Sequence, residues 1–250
     1  MDDFFLKDIA GLFTFQHLIY VICAILAVVV LVLLYLKRFV GKENKIIKIT
    51  FFVLVTLEIA KICYVCFYQK LSQKLDDWVP LYFCSLTMYA LGLSSFGKGK
   101  IKLLGDSFLF FGGIVSGMAF LLYPTTALLI RPLIHPLTIH SLIYHCLSVF
   151  VGLMIGLKGY FKPQHKYIVS YLIFTLAFSL IAYIVNITCN QNFMLINNPW
   201  QMAPLKLIYD IVGGFYPIVI SVGQSLLTFY ISYGVYKLIV YLINKKEGRV

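Results

Sequence analysis

The sequence predicts an all-α polytopic membrane protein, a seven-helix bundle with its N-terminus outside and its C-terminus in the cytoplasm. Three observations carry this prediction. Seven stretches are apolar and long enough to cross a bilayer, the basic residues gather on alternate connections between them, and only 12% of the chain is charged. A soluble domain of this size carries about 25% charged residues. The mean hydropathy of +0.90 points the same way.

The spans are read at 18–36, 46–68, 80–96, 101–123, 136–157, 168–188 and 216–239. Each matches the 17–25 residues that a helix rising 1.5 Å per residue needs to cross about 30 Å of hydrocarbon. Backbone in lipid must satisfy its own polar groups, and none of these stretches alternates as a barrel strand does, so helices are expected. The first span runs into Lys37-Arg38 with no small-residue cleavage site, so it is expected to remain as a span. Before it, Phe4, Phe5, Ile9, Leu12 and Phe13 fall on one helical face, which predicts a short interfacial helix over 4–15.

Net charge is +11, but its distribution argues against nucleic acid as a partner and for membrane lipids. Fifteen basic residues follow the first, third, fifth and seventh spans, among them Lys42, Lys100, Lys162 and Lys245. Five lie on the other side (Lys7, Lys70, Lys74, Arg131 and Lys206), and Lys61 lies within a span. By the positive-inside rule the lysine-rich side is cytoplasmic, which places a multi-pass protein in the cell membrane. The six cysteines form no disulfide framework, and Cys63-x-x-Cys66 inside a span is expected to be two small buried side chains. No metal site and no cofactor is predicted.

The loops are short except at 189–215, so one domain over 1–250 is expected, with 189–215 as an outer capping segment broken near Gly213–Pro217. A helix from Pro204 to Ile243 would be roughly 60 Å long, twice the hydrocarbon thickness. In the fourth span, Gly112, Gly113, Ser116 and Gly117 make a small-residue face suited to close helix packing.

Ionisable groups in lipid require partners. Glu58 and Lys61, three residues apart, share a helical face near mid-bilayer and are expected to pair. Asp106 is placed at the cytoplasmic border. Pro80 suits a helix start, which would put Cys84 within the first turns of the third span, at the ester level of the outer leaflet. A helix N-terminus favours a thiolate, although an inert buried thiol fits the same residues. In the fifth span His140 and His145 lie about 140° apart, so they cannot face one partner together. His140 is closer to the expected depth of Cys84. A structural hydrogen bond would account for either histidine. A cysteine and a histidine in contact would make an activated nucleophile.

These elements together resemble the YwaF-like integral membrane proteins of bacteria over about 52–217. The resemblance rests on Glu58-x-x-Lys61, Trp78, Pro80-Leu81-x-x-Cys84, Tyr144-His145, and Asn190-Gln191-Asn192 followed by Asn198-Pro199. Animal relatives of that family include a transmembrane acyltransferase that moves polyunsaturated acyl groups onto ether lysophospholipids. The resemblance implies a phospholipid acyltransferase or transacylase in which Cys84 carries an acyl thioester and His145 is its base. Glu58, Lys61, His140, Tyr144 and Asn192 would then be substrate-binding or structural polar residues. Two positions depart from the family: Tyr82 stands where histidine is usual, and Gly213-Gly214-Phe215-Tyr216-Pro217 replaces a tryptophan-rich motif. Read from the residues alone, a small transporter or receptor-like bundle built around Glu58–Lys61, or a structural membrane protein without catalysis, remains open beside the enzyme.

Overall fold

The computed structural model describes residues 9–68, 75–199 and 203–246, and among these every regular element is helical. The helices are α1 (Phe15–Leu34), α2 (Glu43–Tyr68), α3 (Leu75–Trp78), α4 (Leu86–Phe96), α5 (Gly99–Phe108), α6 (Ile114–Leu122), α7 (Thr125–Leu128), α8 (Pro136–Leu157), α9 (Ile168–Cys189), α10 (Ala203–Val212) and α11 (Tyr216–Lys246). Six helical stretches are long and apolar enough to cross a membrane, and α4 is a seventh, shorter apolar helix. This is a multi-pass membrane protein.

Helix ends follow from local chemistry. Thr14 Oγ1 accepts from the amide of His17 and starts α1. Pro136 opens α8 while His135 Nδ1 accepts from the amide of Leu137. Asn190 closes α9 in the left-handed conformation, at φ 51°. The predicted break before α11 is a 3₁₀ turn over Gly213–Phe215, in which Gly213 takes φ +55°.

α8 is the centre of the bundle. It packs on α1, α2 and α6, and twelve of its 22 residues are buried. α1 buries only His17, Tyr20 and Ala24, so most of its surface is left for lipid. α5 and α6 form one span joined by a wide turn of π type over Leu109–Gly113, all five residues of which are buried. Such a turn breaks the i→i−4 ladder and leaves carbonyls in need of donors. Two hydroxyls supply them: Ser232 donates to the carbonyl of Phe111 at 2.7 Å, and Ser148 to that of Gly113 at 3.1 Å. The small-residue face works as packing surface, for a Cβ on Gly117 would meet Val149 Cγ2 at 2.7 Å.

Three expectations are corrected. The third span is not a helix from Pro80. The chain turns through 82–85, and α4 begins only at Leu86, because the turn bonds from Ser85 to Tyr82 and from Leu86 to Phe83 are short-range. The interfacial helix is absent over 9–14, where Phe13 is left-handed at φ 60°; its residues 4–8 lie outside the described ones. Cys63 is exposed and Cys66 half-buried, so lipid rather than core surrounds them, as a soft apolar thiol tolerates. Asp106 is buried, with Ser94 donating to Oδ1 at 2.5 Å and Lys102 at 3.4 Å.

Candidate functional site

Depth follows from helix rise. α4 has 11 residues and rises about 16 Å, half the hydrocarbon thickness, so its start lies near mid-bilayer. Cys84, in the turn just before it, is therefore deeper than a helix beginning at Pro80 would place it. Thr87 and Ser148 each precede the last residue of their helix by nine positions, and their hydroxyls are bonded at 2.8 Å. That bond levels the two helices and brings Cys84 to the depth of Tyr144 and His145, a turn below His140. Non-helical backbone at this depth is tolerated only against protein or a wet cavity. Here the Tyr144 hydroxyl donates to the carbonyl of Ser85 at 3.2 Å.

Tyr144 is the shared neighbour of the sequence-selected residues. Its ring centroid lies 6.0 Å from that of His140 and 5.6 Å from that of His145. Cys84 and Glu58 are both within its electrostatic reach. Glu58 is also within reach of Cys84 itself, whose thiol is half-buried beside the Ser85 hydroxyl. Glu58 and Lys61 form the ion pair that their spacing predicts. The other carboxylate oxygen of Glu58 faces His140 Nε2 at 3.8 Å. Cys84, Glu58, Lys61, His140 and Tyr144 thus belong to one polar cluster in the interior of the bundle.

His145 follows Tyr144 on α8 and packs against α6. Its ring stacks on Phe120, with centroids 3.8 Å apart and planes within 5°. Nδ1 lies 2.7 Å from the carbonyl of Ser141. A carbonyl can only accept, so Nδ1 carries the proton and Nε2 presents a lone pair. That Nε2 is buried and has no hydrogen-bond partner. The imidazole is held in the tautomer that a general base needs, by its own helix.

Asn192 lies apart from this cluster, in the outer capping segment. Its side chain accepts from the amides of Asn197 at 3.1 Å and Asn198 at 3.2 Å, and donates to Asn198. The segment is nevertheless tied to the site. Phe193 packs on Tyr82 with centroids 5.4 Å apart, two residues before Cys84. Met194 is buried against Ser179 of α9.

Three contributors were not singled out from the sequence. Asn186 pairs both its amide atoms with the backbone of Phe193, at 2.7 and 3.1 Å, and so seats the capping segment. Thr87 and Ser148 level α4 with α8. Nothing local distinguishes these residues from ordinary helix polar groups; only their partners, up to 61 positions away, give them a role. No cluster of metal-ligating side chains occurs among the described residues.

No curated protein and no solved structure matches the chain. The model of one family, the TMEM164 family, matches residues 12–235, which take in α1 to α10, most of α11 and the whole polar cluster. The chain belongs to the TMEM164 family.

Proposed function

We propose that this protein is a phospholipid acyltransferase or transacylase that works through an acyl thioester on Cys84, with His145 as its base. The observation that carries the reading is the state of His145. Its Nδ1 proton is committed to Ser141, and its Nε2 lone pair is buried and unpaired at the depth of Cys84. A buried acceptor without a donor costs about 1–3 kcal/mol, a cost that a thiol or a substrate hydroxyl would relieve.

The cycle follows from these groups. Cys84 Sγ attacks the carbonyl carbon of a phospholipid ester while its proton passes to His145 Nε2. The carbon–oxygen ester bond breaks, and the lysolipid oxygen leaves with that proton. A second lysolipid then gives its hydroxyl proton to Nε2 as its oxygen attacks the thioester. The carbon–sulfur bond breaks, and the thiolate recovers the proton. The Ser85 hydroxyl is the donor available to a developing oxyanion. Glu58, Lys61 and His140 form a fixed polar wall that holds Tyr144 and the lipid head group in place, and Asn192 shapes the cap above.

The test is mass spectrometry of the purified full chain incubated with phospholipid. The expected result is an acyl adduct on Cys84 that neutral hydroxylamine removes. Cys84→Ser abolishes the adduct, and His145→Ala slows its formation about 10²–10⁴-fold. A Cys84→Ser protein that folds and still transfers acyl groups at the wild-type rate overturns the proposal.

A further inference from the structure

At the lysine-rich end of the bundle, about half a bilayer from Cys84, a second polar arrangement stands outside the proposed chemistry. A cleft of ≈ 530 Å³ opens between the start of α5 and the α8–α9 connection, lined by Lys102, Asp106, Tyr160, Lys162, Gln164 and Tyr167 among others. Its floor is preorganised. Lys102 Nζ donates to the carbonyl of Ser94 at 3.0 Å and to Tyr160 at 2.6 Å, and lies 3.4 Å from Asp106. Tyr160 in turn donates to Asn44 of α2 at 2.6 Å.

The charge of the cleft does not balance. Lys102 is offset by Asp106, whereas Lys162 has no ion pair among the described residues. Glu43, which precedes Asn44 on α2, is occupied by Tyr35 and the amide of Gly41. The start of α5 adds to the excess. Its capping position is Lys98, which offers no side-chain acceptor to the first amides. Gly99 and Gly159, at φ +54° and +77°, leave both rims without side chains.

The walls are apolar. Leu103 and Phe161 line the cleft, and the exposed side chains Ile101, Leu157 and Val169 stand within two residues of its lining. A free anion would gain nothing from these side chains, whereas a lipid would use both parts. We propose that this cleft binds the phosphate of an anionic phospholipid head group, with Lys162, Gln164 and Tyr167 as its donors and the acyl chains on the neighbouring apolar surface. The assignment is independent of the chemistry at Cys84.

The test titrates the purified full chain in micelles with phosphatidylglycerol, and reads binding from the rise in unfolding temperature. Phosphatidylglycerol is expected to give a saturable rise that Lys162→Gln shifts to about fivefold higher concentration, as about 1 kcal/mol per lysine near a membrane surface implies. Because Lys162 has no ion pair, its replacement leaves the fold intact. Lys245→Gln, at the far end of α11, is expected to leave the titration unchanged. An unshifted titration in Lys162→Gln, or an equal dependence on Lys162 with phosphatidylcholine, overturns the proposal. Inorganic phosphate reproducing the whole rise would assign the cleft to a free anion and overturn the lipid assignment.

Discussion

Glu58 serves two partners from one buried carboxylate: Lys61 on Oε1, and His140 at 3.8 Å on Oε2. Removing the charge from such a pair strands the other one in a medium that solvates it poorly. Glu58→Gln is therefore expected to lower stability by roughly 2 kcal/mol, less than a fully dry pair would lose because the Lys61 side chain keeps 20% of its exposure. Adding Lys61→Met should return much of that loss. Unfolding of the two variants in micelles measures it, and strict additivity of the single changes would remove the pairing. The pair was legible because an i, i+3 spacing within one helix fixes geometry locally. The link from Glu58 to His140 was not, because it joins two helices.

At the scale of the element, glycines separate packing from propensity. A Cβ on Gly152 of α8 would stand 2.5 Å from the carbonyl oxygen of Leu109 and 2.5 Å from Ile114 Cγ1. Backbone cannot step aside, so Gly152→Ala is expected to cost about 1–3 kcal/mol by overpacking the junction of α8 with the π-type turn. Gly223 and Gly234 of α11 have open space there, and alanine at either is expected to add about 0.5–1 kcal/mol through helix propensity. Comparing unfolding of Gly152→Ala with Gly223→Ala checks the contrast, and equal effects would remove the packing argument. The extents of α2, α8 and α9 were legible from hydropathy and end signals such as Pro136. α4 was not. An apolar run cannot show whether its first residues are helical or folded into a turn, and Tyr144 and Phe193 from distant segments settle it here.

For the whole molecule, the hydrogen bonds that tie Asn44, Lys102 and Tyr160 bring the start of α2, the start of α5 and the α8–α9 connection to one end. Combined with the lysine count, this end is expected to face the cytoplasm. In a background lacking the six native cysteines, single cysteines at 42, 100 and 162 should resist an impermeant external thiol reagent, while those at 131 and 197 should react. External labelling at 42 or 100 would reverse the orientation.

Composition and hydropathy alone determined the class of the protein, the extents of α2, α8 and α9, and the pairing of Glu58 with Lys61. The reason is that lipid imposes one rule on every residue separately: be apolar, or be satisfied within a turn of helix. What only the tertiary structure decided is everything that needs two helices at once. It joined α4 to α8 through the Thr87–Ser148 bond, and it formed the neighbourhood around Tyr144. It seated the capping segment through Asn186, and it closed the cleft around Lys102. Those arrangements depend on partners up to 61 residues apart or more, and no local pattern encodes which polar side chain will meet which.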